Sequence, residues 1–506
     1  MKNIFNKRIV VGAMAVALAM LTNNCTNLTN GISTDPVNIT DPSVIASSKY
    51  MSGIEVSLMG VFEGEQARGT GMWAGYFNGA DRQYTGLGNY VTSGQDYDNI
   101  WNTIYANILE DCKLIKHNAN PARNLVTVGI TQVIEAMVVG LAADCWGDVP
   151  FTQAAQFPVI STPVFDKQAA VYASAHALLD SAINYNLIPT APGNDGGGDF
   201  LLGGSKSAWL AVAHTVKARL YLHVRDYANA ALHAASGIQS VGGNLMAPHG
   251  GAYLQTFNLY YSFLVYDRGG YMAANSFAPT LLDVNAPGNR NNLKTDETAR
   301  LNYIYYPGGG LEFAPGSVAY EPNVLCDDFT EPQQSWPSTA DGFFAATASF
   351  PLVTFQENAL ILAEANAKLG NTQPAIDALN VLRAYYATGA HVNPDYAANY
   401  TYKYAPYVYA DFAPTTGIDN NGTDTQDQAL LREILEERYL TLLGQIEGWN
   451  DMRRTGNFLK ITLPAGKTDF PRRLLYSQGE VTTNGKNVPT SGVGLFDPVT
   501  SFSTAY

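Results

Sequence analysis

The chain has 506 residues, of which 46% are apolar and only 15% are Asp, Glu, Lys or Arg, so a disordered protein is excluded. The formal net charge of −14 argues against a nucleic-acid partner, because phosphate backbones are bound through cationic surfaces. Tyrosine is unusually frequent, with 30 copies, which indicates aromatic contact surfaces in addition to a core.

The N-terminal segment has the layout of a secretory signal. A positively charged start is followed by an uncharged run from Ile9 to Leu21. That run is too short to span a bilayer, which takes about 20 apolar residues, and no later segment supplies an apolar run of that length. We therefore expect a signal peptide over residues 1–24 and one domain over residues 25–506.

Cysteine and histidine usage predicts no metal site and no cofactor. Cys25 follows the apolar run and is similar to the lipidated cysteine of a bacterial lipoprotein signal; ordinary secretion with Cys25 left free or removed is the alternative. The other three cysteines are too few for a disulfide framework. The seven histidines include no HExxH motif and no pairing with CxxC.

Helical periodicity dominates the rest of the chain. Apolar residues recur at spacings of three and four in a series of segments, and the last of these opens with Thr425 and Gln428 at capping-box spacing. Alternating strand patterns are few and short, so the predicted class is mainly α. The predicted helices cover approximately residues 41–62, 98–118, 126–146, 167–185, 207–225, 227–237, 354–369, 373–388 and 426–443.

Two of these stretches have the small-residue spacing of tetratricopeptide helix pairs. Small side chains recur through residues 354–388, including Ala363, Gly370 and Ala375, and residues 207–237 repeat the same offsets. Because such pairs must stack to bury their faces, we expect a scaffold of several helix pairs.

A loop-rich insertion at about residues 240–350 concentrates aromatic side chains. Residues 253–350 contain 18 aromatics among 98 positions, and seven more follow within residues 396–412. An aromatic ring offers a flat apolar face with polar groups beside it, which suits a sugar ring. The alternative is that most of these rings close small cores beneath the loops.

Several motifs now resemble the SusD/RagB family of surface lipoproteins. They occur in the family's order and span nearly the whole chain. They are NGISTDPVNITDPS at 30–43, CWGDVPFTQAAQ at 145–156, ENALILAEANAKLG at 357–370, EGWNDMRRTGNF at 447–458 and PRRLLYSQGEVTTNG at 471–485.

The resemblance implies a SusD-like fold of tetratricopeptide-like helix pairs with an irregular, loop-rich half. It further implies a lipoprotein on the surface of the outer membrane that captures oligosaccharide and delivers it to a SusC-like TonB-dependent transporter. Peptides or other nutrients are alternative ligands, and a scaffold role without a small ligand is a second alternative. Nucleic acid is not an expected partner.

Family members draw ligand contacts from the loop after the first helix, here MWAGYFNGADRQY, and from the mid-chain insertion. The resemblance therefore predicts a set of ligand-binding residues with aromatic rings at its centre. The predicted residues are Trp73, Tyr76, Asn78, Asp81, Arg82, Tyr84, Tyr305, Tyr306 and Trp336.

An enzyme is not expected. The sequence has no GxSxG motif and no glycine-rich phosphate loop, and with 44 acidic residues any carboxylate pair could be nominated for glycoside hydrolysis. Near the C-terminal end, Arg453 and Arg454 are predicted to form buried ion pairs instead of a catalytic cluster. Their expected partners are Glu436, Glu437, Glu447 and Asp451.

Overall fold

The computed structural model describes residues 45–119, 123–156, 159–194, 198–252, 255–308, 319–325, 341–502 and 506. Ser47–Tyr506 form one compact unit, and of the other unit, Met1–Ala46, only residues 45 and 46 are described. The predicted signal peptide, Cys25 and Trp336 therefore lie outside the described residues.

Helices form most of the described structure, which confirms the mainly α class. The first nine are α1 (Ser47–Glu63), α2 (Glu65–Trp73), α3 (Arg82–Gly88), α4 (Asp98–Asn102), α5 (Glu110–Ala119), α6 (Leu125–Trp146), α7 (Gln168–Ser181), α8 (Lys206–His223) and α9 (Tyr227–Ala234). The next nine are α10 (Leu259–Tyr261), α11 (Phe277–Leu282), α12 (Thr298–Ile304), α13 (Phe355–Lys368), α14 (Thr372–Tyr386), α15 (Pro394–Asn399), α16 (Gln426–Thr441), α17 (Ile446–Arg454) and α18 (Gln478–Asn484).

Shorter helical turns extend or join these elements. The π-helical turns are Thr103–Leu109, Ala182–Asn186 and Ser262–Asp267. The 3-10 turns are Gly94–Tyr97, Val241–Gly243, Tyr409–Phe412 and Thr500–Phe502.

Among the described residues, strands occur as four short antiparallel pairs. The strands are β1 (Asn78–Gly79), β2 (Leu245–Ala247), β3 (Met272–Ala273), β4 (Thr295–Asp296), β5 (Tyr305–Gly308), β6 (Ala319–Pro322), β7 (Phe350–Val353) and β8 (Lys403–Tyr404). The pairs are β1 with β3, β2 with β7, β4 with β8 and β5 with β6. The pairs β1 with β3, β2 with β7 and β4 with β8 join segments that are distant in the sequence.

The predicted helix boundaries agree with the structure to within a few residues wherever the chain is described. The capping box of α16 is present: the Thr425 N–H donates to Gln428 Oε1 at 2.9 Å, and the Gln428 N–H donates to Thr425 Oγ1 at 3.3 Å. Two donors at the helix start are thereby satisfied, which explains why the local sequence alone locates this end.

The two predicted helix pairs are confirmed. α8 packs on α9, α13 packs on α14, and α9 also packs against α13. A small buried cluster of Ala218, Leu222, Ala230, Ala234, Ile361 and Ala365 lies between the pairs. Because four of these six side chains are alanines, the helices approach closely, as the small-residue spacing predicted.

Within the part of the chain that the structure describes, one helix, α6, is long and apolar enough by length and composition to cross a membrane, contrary to the expectation from apolar runs. However, 89% of its most apolar window is buried inside the protein. It packs against α7, α5 and α8. Burial of this kind marks α6 as the central core helix of the compact unit.

The predicted ion pairs near the C-terminal end form only in part. Arg454 pairs with Asp451 at 2.7 Å, as predicted, and also with Glu364 at 2.5 Å. Glu437 instead pairs with arginines from other segments: Arg290 and Arg300, each at 2.7 Å. Arg453 donates to backbone carbonyls, at 2.8 Å to that of Asp144 and 2.9 Å to that of Arg472. Local sequence could not choose between these partners, because the competing groups lie far away along the chain.

Candidate functional site

An open cleft of about 800 Å³ lies between the turn after α2, the beginning of α11 and the loop that follows α17. We refer to it as the asparagine cleft because three asparagine side chains line it. Its polar lining residues are Asn78, Asn89, Asn275, Ser276, Thr280, Asp283, Tyr320 and Thr462, and its larger apolar ones are Met72, Phe77, Phe277 and Leu463.

Two glycines allow the chain to form the wall of this cleft. Gly75 follows α2 with φ = +72°, and a Cβ there would lie 2.8 Å from Ile461 Cγ2. Gly79 in β1 is tighter still, because a Cβ would lie 1.9 Å from the backbone oxygen of Tyr84. Only glycine fits these close approaches, and together they direct Phe77 and Asn78 toward the cleft.

Hydrogen bonds tie the turn after α2 to the segment around α11 and to Tyr320. The Asn275 N–H donates to Asn78 Oδ1 at 2.8 Å, and the Tyr320 N–H donates to Asn275 Oδ1 at 3.1 Å. The Tyr320 hydroxyl in turn donates to Asp283 Oδ2 at 2.8 Å. These bonds fix both asparagine amides by their oxygens, which points to a largely preformed site.

The amide nitrogens of the same two asparagines are left for a ligand. Asn275 is exposed and Asn78 is half-buried. Neither Nδ2 donates to any group of the described residues. Each side chain therefore presents two N–H donors whose orientation is already set by the bonds to its oxygen.

The asparagine cleft is almost uncharged. Among the described lining residues, Asp283 is the only one with a formal charge. Burial and the hydrogen bond to Asp283 raise the pKa of Tyr320, so its hydroxyl stays protonated and continues to donate. The lining therefore combines amide and hydroxyl groups with the rings of Phe277 and Tyr320, and its single charge is negative.

Four of the aromatic residues predicted as ligand contacts have their rings packed into the core. Trp73, Tyr76, Tyr84 and Tyr305 are at most 5% exposed. The Tyr76 hydroxyl donates to the backbone oxygen of Tyr439 at 2.8 Å. Rings with satisfied polar groups and covered faces cannot stack on a ligand, so here the alternative of loop-closing cores holds.

Hydrogen bonds hold two of the other three rings, and a ring contact holds the third. The Trp73 indole N–H donates to the Leu87 backbone oxygen at 2.8 Å, and the Tyr305 hydroxyl donates to the Tyr76 backbone oxygen at 3.0 Å. The ring of Tyr84 packs against that of Phe263 at 4.9 Å. These residues support the wall of the asparagine cleft from behind.

The remaining predicted residues have mixed positions. Asn78 lines the asparagine cleft. Asp81 and Arg82 are exposed and serve the start of α3, where Asp81 Oδ1 accepts the Arg82 N–H at 2.9 Å. Tyr306 is half-buried and donates its hydroxyl to Glu321 at 2.7 Å, away from the cleft lining.

Sequence reasoning missed Asn275, Thr280, Asp283 and Tyr320. All four lie inside the predicted insertion, but ranking by aromatic content favoured other positions. Asn275 reaches Asn78 only through the pairing of β1 with β3, in which Asn78 lies opposite Ala273. An Asn-Ser pair just before a helix start was the one local sign of exposed polar groups there.

Comparison with known proteins agrees with this architecture. A SusD-like family model, described as "Starch-binding associating with outer membrane", matches residues 39–477. No curated protein matches the chain.

This chain aligns with several solved structures of similar fold over nearly the whole length of those structures. A SusD/RagB family protein from Bacteroides thetaiotaomicron has a TM-score of 0.63 at 22% identity, over 91% of this chain and 98% of its own. A SusD homolog from Bacteroides uniformis has a TM-score of 0.65 at 18% identity, over 90% and 99%. A chitin-binding SusD homolog from Flavobacterium johnsoniae has a TM-score of 0.63 at 15% identity, over 90% and 98%.

Proposed function

Because the chain belongs to the SusD-like family, we propose that it binds an oligosaccharide nutrient in the asparagine cleft and delivers it to a SusC-like TonB-dependent transporter. The observation that carries the proposal is the pair of side-chain amides of Asn78 and Asn275, which line a cleft of about 800 Å³. Hydrogen bonds to their oxygens hold both amides in place, and their N–H groups remain available to a ligand. The chitin-binding relative supports a glycan as the ligand class.

The chemistry of the lining suits a sugar. Amide N–H groups donate to hydroxyl oxygens, and the rings of Phe277 and Tyr320 supply apolar surface for the C–H face of the sugar ring. Each hydrogen bond from an amide N–H to the sugar contributes about 1 kcal/mol net, since it replaces a hydrogen bond to water. A few such bonds with one ring contact give micromolar to millimolar affinity, which permits release into a transporter.

Capture without cleavage fits the same lining. Glycoside hydrolysis ordinarily uses two carboxyl groups about 5 to 9 Å apart. Among the described residues that line the cleft, Asp283 is the only acid, and its Oδ2 already accepts the Tyr320 hydroxyl. We therefore assign binding and no catalytic step to this site.

The sequence and the family support an outer-membrane location. The apolar run before Cys25 resembles the signal of an exported protein, and the family description names association with the outer membrane. We propose that Cys25 is acylated, that residues 1–24 are removed as a signal peptide, and that residues 25–506 form a surface lipoprotein seated on its transporter. Mass spectrometry of the membrane-extracted protein tests the acylation.

Calorimetric titration tests the ligand assignment. The probes are maltoheptaose, chitohexaose and a neutral heptapeptide. We expect one of the glycans to bind and the Asn78→Ala/Asn275→Ala double variant to weaken that binding by about tenfold or more, which corresponds to about 1.4 kcal/mol. Asn399→Ala, at the exposed end of α15, is the matched control and leaves affinity unchanged.

Three results would contradict the proposal. They are binding of the peptide alone, glycan binding that the double variant does not weaken, and release of shorter sugars from the bound glycan.

A further inference from the structure

A second candidate site lies apart from the asparagine cleft and shares no lining residue with it. Two cavities, of about 180 and 260 Å³, have Tyr303 and His391 in common among their lining residues. The smaller one is bounded by α12, α14 and the end of α16. Each is large enough for more than a single water molecule.

His391 is the unusual group at this junction. Both of its ring nitrogens are buried, and neither makes a well-formed hydrogen bond to a described residue; the backbone of Tyr386 is the one group near enough to raise the pKa of the ring as a hydrogen-bond partner. Burial, followed by the charge of Arg300, lowers the pKa of His391 to about 3, so the ring is neutral. A neutral imidazole has one hydrogen-bond donor and one acceptor. A buried donor or acceptor without a hydrogen bond costs free energy of folding, so these two nitrogens indicate that a binding partner completes their hydrogen bonds.

The walls of the smaller cavity are aromatic and polar together. His391 packs on Tyr386 at 4.8 Å between ring centroids, and Tyr303 meets Phe343 edge-on at 5.7 Å. Hydroxyl and amide side chains complete the lining, among them Thr441, which bonds the Tyr386 hydroxyl at 3.2 Å. Rings beside hydrogen-bonding groups are the lining that a sugar or another polyol requires.

The lining of the smaller cavity offers no unpaired positive charge. Its one cationic wall residue that stays charged, Arg300, is paired with Glu437 at 2.7 Å and lies 3.8 Å from Glu297. An arginine with two buried carboxylates beside it has no charge left for an anionic ligand.

From these contacts we propose that the His391 cavity is a second binding site, which takes one uncharged, hydroxyl-bearing molecule about the size of a single sugar ring. One hydroxyl of such a molecule donates to the unprotonated imidazole nitrogen, and the oxygen of a second hydroxyl accepts the N–H of the other nitrogen. The proposal does not depend on which ligand occupies the asparagine cleft.

The test follows the His391 ring by NMR in protein labelled with ¹³C at its seven histidines. The background carries Asn78→Ala/Asn275→Ala, so that the asparagine cleft contributes little binding. The probes are glucose, N-acetylglucosamine and glucuronate, the last being a charged molecule of the same ring size. His391→Phe identifies the resonance and keeps the ring stacking without the two nitrogens.

We expect the His391 resonance to move and saturate with glucose or N-acetylglucosamine, with a dissociation constant on the order of 1 mM, and to stay in place with glucuronate. In His391→Phe, saturation transfer from protein to the bound sugar falls by about tenfold or more, while thermal stability does not decrease, because two unpaired polar atoms are removed.

A resonance that moves with neither neutral sugar up to about 100 mM overturns the proposal, since the affinity would then be about two orders weaker than expected. Saturation transfer to the sugar that is undiminished in a folded His391→Phe protein also overturns the proposal. Movement with glucuronate alone overturns the assignment of an uncharged ligand.

Discussion

A buried carboxyl pair between α1 and the loop before α8 gives the sharpest prediction for the scaffold. Glu55 is fully buried, and its Oε2 accepts the Phe200 N–H at 2.9 Å. Asp199 accepts four N–H donors at 2.6 to 3.0 Å, including the indole of Trp209. Asp199 is therefore the ionised partner, and Glu55 holds the proton between them.

Burial, with the hydrogen bond to Asp199 and its charge, raises the pKa of Glu55 to about 10. In the unfolded chain the same group titrates near 4.5. The folded protein thus holds a proton that the unfolded chain releases above that pH, so stability falls as the pH rises from about 4.5 to about 10. At pH 7 the loss amounts to about 3 kcal/mol.

Glu55→Gln removes this dependence. A glutamine keeps an oxygen for the Phe200 N–H and places a permanent N–H donor toward Asp199. We expect the variant to match the wild type at pH 4 and to exceed its free energy of unfolding by up to about 3 kcal/mol at pH 7. Urea unfolding followed by circular dichroism across that range measures the difference.

Glu65→Gln, which neutralises an exposed carboxylate on α2, is the control and changes stability by less than about 0.5 kcal/mol at every pH. A Glu55→Gln protein that is less stable than the wild type at pH 7, or whose advantage does not vary with pH, would refute the assignment of the proton.

Three further predictions concern other parts of the molecule. His223 is buried between Asp144 at 2.9 Å and Glu447 at 3.2 Å; their charges outweigh burial and raise its pKa to about 9. Its stabilisation is therefore complete below about pH 6.5 and lost as the pH rises through 9, so His223→Leu should cost about 3 kcal/mol at pH 7 in urea unfolding and less at pH 10. Asp283→Asn removes the one charge of the asparagine cleft, and an oligogalacturonide should bind the variant about threefold more tightly or better by calorimetry, whereas a neutral glycan should not. Trp73→Ala should lower the free energy of unfolding by about 3 to 5 kcal/mol, yet leave the glycan affinity of the folded protein within about threefold, because the ring is core and not a contact.

The helices were predictable because their signals are local. Apolar spacing and the Thr425 capping box act within a few residues, and both are as expected in α16. The small-residue spacing that predicted the helix pairs works for the same reason, since α13 and α14 are joined by a short turn. These elements needed no knowledge of the rest of the chain.

The exposed or buried state of an aromatic ring in a loop has no such local signal. Trp73 ends α2, and Tyr76 lies in the turn that follows, whose direction is set by Gly75 and by contacts with α16 and α17. Asn78, only two residues further on, faces the asparagine cleft instead. Composition located the right segment of the chain, but it could not choose the side chains that a ligand would meet.

The sequence by itself determined the helical class, the paired scaffold and the family, because these depend on periodicities and motifs that short segments carry. The tertiary structure alone decided the site. Asn78 and Asn275 are 197 residues apart, and they meet because two residues of β1 pair with two of β3 and Tyr320 bonds to the second asparagine. Contacts of that range form only when the whole core is assembled, so no local pattern encodes them.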